Sequence, residues 1–206
     1  MAEHGGDGAE QRRRWYLWAL VALALVSVLR LVNQVRDGDT DSLTWTIAIL
    51  VVLVIVVVTL WVVTRRIDGL ARRVAALRPG AAVVPATTAS EMLDVATALG
   101  VSRANIAGQG GSVAALAVLP DRIEVWFRKD EQPRWVLDRA TLTSVHVAPA
   151  VFGSARRDAL WVVGATGAAV VVPAYRPLRA TAGAASREDL ERALQAVAGT
   201  GVSGTV

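Results

Sequence analysis

The feature that most constrains what this chain can fold into is the stretch from Leu43 to Val63, which contains no charged residue. A second apolar block, Trp15 to Val35, is interrupted only by Arg30. An α-helix rises about 1.5 Å per residue, so roughly 20 residues cross the ~30 Å hydrocarbon core of a bilayer. Both blocks reach that length. Ile47 to Val58 is almost wholly β-branched or leucine, a composition that makes a poor helix in water. In lipid every backbone N–H and C=O must be paired within the segment, which leaves helix as the available form. The expectation is a hairpin of two transmembrane helices, 15–35 and 43–64, joined by a short loop at 36–42.

The first block has the basic leader of a signal peptide, but Arg30-Leu31-Val32-Asn33-Gln34 after it offers no small-x-small cleavage site, so it reads as a retained helix. Arg12, Arg13 and Arg14 precede it, and Arg65, Arg66, Arg72, Arg73 and Arg78 follow the second block, whereas the connecting loop carries Asp37, Asp39 and Asp41. Positive residues stay inside, which places the tail 1–14 and the C-terminus in the cytoplasm and the loop 36–42 outside. The chain then reads as a multi-pass protein of the inner (plasma) membrane. In that topology Trp15, Trp18 and Trp61 lie at the inner interface and Trp45 at the outer one, the usual aromatic belts. Arg30, about one turn from the outer end, reads as a snorkelling side chain rather than a functional charge.

The net charge of +4 in this 206-residue chain is concentrated beside the membrane, at 65–78, and nearly cancels beyond Gly80. Basicity here reports topology and gives no case for a nucleic-acid partner. The absence of cysteine removes disulfides, thiolate metal sites and thiol nucleophiles.

Residues 65–87 read as a basic juxtamembrane arm and linker. Ile67, Leu70, Val74 and Leu77 follow 3-4-3 spacing beside Arg65, Arg66, Arg72 and Arg73. That pattern suits an amphipathic helix on anionic lipid, a straight extension of the second helix, or a short dimerising seam. Pro79-Gly80 ends it, and Ala81 to Ala86, with Pro85, reads as linker.

At 88–112 a short helix and a glycine-rich loop are expected. Thr88-Ala89-Ser90-Glu91 has the form of a capping box ahead of Met92, Val95, Ala96 and Leu99, and Ser102 to Ser112 reads as a flexible loop. Its Gly108-Gln109-Gly110-Gly111 lacks the Gly-Lys-Ser/Thr ending of a phosphate-binding loop. From Val113 the periodicity becomes two. Strands are expected at Ala114–Leu119, Ile123–Arg128, Arg134–Leu137 and Leu142–Ala148, then a hairpin of Leu160–Val163 and Ala168–Val172. A last helix starts at the box Ser186-Arg187-Glu188-Asp189 and buries Leu190, Leu194 and Val197, with 199–206 as a disordered tail.

This order of elements resembles the pleckstrin-homology-like (PH-like) fold, and more narrowly the bacterial PH-like domains attached to transmembrane helices. The resemblance is carried by Leu119-Pro120-Asp121-Arg122-Ile123-Glu124-Val125, by Trp135 to Val145, by the hairpin and by the final helix. It covers roughly the second half of the chain, 113–198, and implies an α+β protein with an antiparallel barrel or sheet closed by a C-terminal helix. The departure is a seventh strand, which the pattern from Val113 onward does not supply. The resemblance implies no catalytic motif.

The residues themselves agree on that point. His146 has no partner at metal-ligand or triad spacing, Ser144 and Ser154 lack a nucleophile elbow, and the carboxylates fall at turns and helix starts. The chain is therefore read as non-enzymatic, without metal or cofactor. Candidate binding residues are Arg122, Trp126, Arg128 and Lys129 around one turn, and Arg156 and Arg157 in a later one. PH-like domains elsewhere bind phosphoinositide headgroups with basic loop residues, but Asp121, Asp130, Glu131 and Asp158 interleave with these. The first expectation is a scaffold or regulator of a protein partner at the cytoplasmic membrane face. The alternatives are an anionic-lipid sensor and an accessory subunit of a larger membrane complex, with self-association left open.

Overall fold

The computed structural model describes residues 40–177 and 185–199, of which 40–46 and 48 are described by backbone alone. The expected helix at 15–35, with Trp15, Trp18 and Arg30, lies outside the described residues, as do the tail beyond Gly199 and the side chain of Trp45. The described chain divides between Thr59 and Leu60 into two units.

Helix α1 runs unbroken from Thr40 to Leu77. It is the one helix among the described residues long and apolar enough to cross a membrane, where two such helices were expected. In the first unit most of its described apolar side chains, among them Ile47, Ile49, Val52 and Ile55, are exposed. Among the described residues nothing covers it, and a helix apolar on every face is suited to lipid rather than water. It ends where Pro79 cannot continue the helical hydrogen bonding and Gly80 takes a left-handed φ of 86°.

The second unit is α+β. Seven antiparallel strands follow: β1 (Ala82–Thr88), β2 (Val113–Val118), β3 (Arg122–Phe127), β4 (Trp135–Asp138), β5 (Leu142–Phe152), β6 (Ala155–Gly164) and β7 (Gly167–Pro173). Helix α2 (Glu91–Ala98) lies between β1 and β2, and helix α3 (Arg187–Ala198) follows β7. The sheet order is β4-β3-β2-β1-β7-β6-β5, a meander whose first and last strands pair. The sheet curls into a half-barrel, so that the Trp135 indole N–H on β4 donates to the Ala168 carbonyl on β7 at 3.1 Å although three strands separate them. The barrel stays open between β4 and β5, which a 3-10 turn at Arg139–Thr141 connects. This architecture is compatible with a PH-like fold.

The strand that the sequence reading lacked is β1, in the segment expected to be linker. A proline normally argues against a central strand because it has no N–H for the ladder. Here Pro85 turns its backbone toward β7 at the place where that pairing stops. Ala174 donates to the Pro85 carbonyl at 2.7 Å, and no return donor exists, so the β1–β7 ladder covers only Ala86 to Thr88.

Alternation sets the two faces. Ile123, Val125 and Phe127 of β3 point into the half-barrel with Leu116, Leu137, Leu160, Val162 and Val171, and Ala193 and Val197 of α3 pack against them. Ser186 caps α3, its hydroxyl oxygen accepting from the Asp189 N–H at 3.1 Å. Ser186→Ala should therefore cost about 1 kcal/mol, read as a lowered midpoint for the full-length protein in detergent.

The capping box expected at 88–91 does not form. Thr88 belongs to β1, and Ser90 makes no side-chain cap. The Glu91 carboxylate instead accepts from the Val151 N–H at 2.8 Å, while the Ser90 N–H donates to the Val151 carbonyl at 2.9 Å. The start of α2 thus holds the far end of β5.

The loop 102–112, expected to be flexible, is anchored. Arg134 donates to the carbonyls of Ser102 and Ala104 at 2.8 and 2.6 Å, and Gly111 N–H donates to the Thr88 carbonyl at 2.7 Å. At Gly110, φ is 77° and an added Cβ would stand 2.8 Å from the Thr88 carbonyl oxygen, so glycine is required.

Candidate functional site

Three features of the second unit bear on function: the contact of α1 with the sheet, a groove beside it, and the outer edge of β5.

The outer face of β2 is built from Ala115 and Ala117, whose small side chains let a helix approach closely. Leu70 and Val74 of α1 pack there with Trp126 of β3, and Ile67 packs with Val63, Val113 and Ala174. Of the three readings of the 3-4-3 stripe, the helix is a straight extension of the apolar span, and its stripe faces this protein's own sheet. Only Leu77 of the four is largely exposed, at 44%.

Burial of Trp126 brings a buried carboxylate with it. Glu124, two residues away on the same outer face, is 1% exposed. It accepts from Arg78 at 2.8 Å, from Arg122 at 2.9 Å and from the Trp126 indole N–H at 3.1 Å, and the Arg78 guanidinium lies 5.3 Å from the Trp126 ring centre. Burial alone would raise the Glu124 pKa. The hydrogen bonds from Arg122 and Arg78 outweigh it and hold the carboxyl below the usual range. Arg122, expected as a binding residue, is thus engaged by Glu124 and Asp121.

Beside this contact lies an open groove of about 400 Å³, lined by Trp61, Val62, Arg65, Arg66, Gly69, Leu70, Arg73 and Arg128. Positions 61, 65, 69 and 73 recur every fourth residue and so form one helix face. The Arg65 guanidinium sits 4.6 Å over the Trp61 ring. Arg73 donates to the backbone carbonyls of Arg128, at 3.2 Å, and of Asp130, which fastens the β3–β4 turn to α1.

No protein-family model matches the chain, and neither does any curated protein or solved structure.

The structure brings together four of the expected basic residues, Arg65, Arg66, Arg73 and Arg128. Arg72 and Lys129 are exposed outside the groove, and Trp126 is covered by α1 rather than available to a partner. Arg156 and Arg157 lie at the start of β6, separated from β3 by β2, β1 and β7, so the two basic turns form no common site. Of the acidic residues that interleave with arginines along the chain, Asp130 is held by Arg134 and Asp121 by Arg122, and none lines the groove. His146 stacks on Trp161 at 6.3 Å on the outer face. Among the described residues no group of three His, Asp or Glu could hold a metal ion.

Sequence reasoning missed Glu124, Arg78 and Gly69. A glutamate between Ile123 and Val125 has the ordinary look of a solvent-facing strand residue, and nothing local marks the helix that covers it.

The third feature is β5, at the end of the sheet and paired only with β6. In an antiparallel ladder a residue's N–H and C=O point together, to alternating sides. The outward bonds of Val151 to Ser90 and Glu91 therefore set Pro149, Val147 and Val145 outward as well. Pro149 has no N–H to offer, and Val151 is occupied. Val145 and Val147 are left with unpaired outward backbone groups among the described residues, and the Val147 side chain is 40% exposed.

Proposed function

We infer that this chain is a non-enzymatic, membrane-anchored PH-like module that holds a protein partner at the cytoplasmic membrane face. The observation carrying the reading is the outer edge of β5, whose backbone is blunted at Pro149 and Val151 yet open at Val145 and Val147. Edge strands invite pairing, and proteins usually block them with proline, charge or covering elements. An edge blocked over one half and left open over the other suits addition of a partner strand, with main-chain bonds giving affinity and Val147 giving a side-chain contact. The meander closed by α3 supports the PH-like assignment, and the apolar half of α1 supports the anchor. The arginines from Arg65 to Arg78 support a cytoplasmic placement of the half-barrel by the positive-inside rule.

The test is site-specific photocrosslinking of the full-length protein in its own membranes. A crosslinker at Val147 should trap a partner strongly, and one at Val136 on the outer face of β4 should not. Adducts confined to Ile49 or Val52 would instead favour an accessory subunit whose contacts lie within the bilayer.

A further inference from the structure

We propose that the groove lined by Trp61, Arg65, Arg66, Gly69, Arg73 and Arg128 binds the headgroup phosphate of an anionic phospholipid. This does not rest on the strand-addition reading, because the two surfaces are different parts of the second unit.

Charge is the first argument. Four guanidinium groups line the groove and no carboxylate does. Asp68, next to Gly69 on α1, is exposed and does not line the groove, while Asp130 is held by Arg134 and Glu124 by Arg78 and Arg122. Arg73 is fixed by neutral backbone carbonyls, so its positive charge is uncompensated, and its Nε is buried with no acceptor among the described residues. Guanidinium groups bind phosphate oxygens through paired, charge-assisted hydrogen bonds, and arginine is the residue best shaped for this.

Shape is the second. Glycine weakens a helix interior, yet Gly69 stands in the middle of the arginine face. A Cβ built there would meet nothing within 4 Å, so glycine is not forced by crowding. Its effect is to leave the floor of the groove open between Arg65 and Arg73.

The third argument is what separates a lipid from a soluble anion. One wall of the groove is Trp61 and Val62, the last residues but one of the uncharged run from Leu43 to Val63. An amphipathic ring with a guanidinium stacked on it, at the end of an apolar span, is the setting of a bilayer headgroup region. A free phosphate would gain nothing from that apolar wall. Arg128 then distinguishes a built site from a plain stop-transfer run, because it comes from the β3–β4 turn, 55 residues away from Arg73.

The experiment is native mass spectrometry of the full-length protein released from nanodiscs of equal parts phosphatidylcholine and phosphatidylglycerol. The wild type should retain phosphatidylglycerol in preference. Arg128→Gln keeps the backbone carbonyl that holds Arg73, and it should lower the preference roughly fivefold, the worth of about one basic residue at a membrane surface. Gly69→Phe fills the groove without changing charge and should remove the preference, while Arg156→Gln with Arg157→Gln should leave it intact. A wild type with no preference overturns the proposal. So does a preference that survives both Arg128→Gln and Gly69→Phe, which would assign it to the helix arginines acting as a diffuse surface charge.

Discussion

Replacing Trp126 with alanine is expected to lower the thermal unfolding midpoint of the full-length protein in detergent by roughly 10–20 °C, from a loss of about 3–5 kcal/mol. Trp126 is 1% exposed and lies between Leu70 and Val74 of α1 and the alanine floor of β2. The floor residues Ala115 and Ala117 are too small to move into the space. The indole also donates to Glu124 and carries the Arg78 contact, so truncation leaves a cavity and a weakened polar cluster together. Hydrogen exchange at 67–77 should accelerate in this variant more than exchange in β6 and β7, because the lost contacts are those that hold the helix to the sheet. A midpoint shift below about 3 °C would mean that this contact contributes little to the stability of the half-barrel.

The second large effect is expected at Glu124. Glu124→Ala should cost about 2–3 kcal/mol, since it leaves the buried Trp126 N–H without its acceptor and takes from Arg78 and Arg122 the carboxylate they share, although Arg122 keeps Asp121. The figure stays below that of a fully buried ion pair because the Arg78 and Arg122 side chains are 31% and 39% exposed and recover some hydration. The same residue gives a pH signature. Its carboxyl is held below the usual range in the folded protein, so the folded state binds its proton less readily than the unfolded chain does. The stabilisation is therefore full above the unfolded value, about 4.3, and is lost as pH falls through the lower folded value. Denaturation curves of wild type and Glu124→Gln should differ most near neutrality and converge as pH drops below about 4. A gap that does not narrow there would show that the carboxylate charge contributes nothing.

Much of the half-barrel was legible because its signals are local. Strand β3 shows its alternation directly, and its inward set, Ile123, Val125 and Phe127, is the set that enters the core. Helix α3 was legible from its cap, since Ser186 reaches Asp189 within one turn. Strand β1 was not, because the one residue that argues against a strand, Pro85, sits where a missing donor has no consequence. The box at 88–91 misled for a related reason. A side chain that can cap a helix can also bond a strand, and Glu91 is closer in space to Val151 than its sequence neighbours reveal.

The candidate groove divides in the same way. By itself the sequence determined that an uncharged span exists, that arginines follow it, and that the apolar stripe Ile67, Leu70 and Val74 shares one helix face. These depend on composition and on a 3.6-residue period, which any reader of the chain can apply. Only the tertiary structure decided what the stripe covers, that Trp126 is consumed beneath it, and that Arg128 joins Arg65, Arg66 and Arg73. Those outcomes depend on contacts between residues some 50 positions apart, such as Arg73 with the β3–β4 turn. No local pattern encodes them, because a helix face offers the same apolar stripe whether lipid, a second copy or its own sheet lies against it.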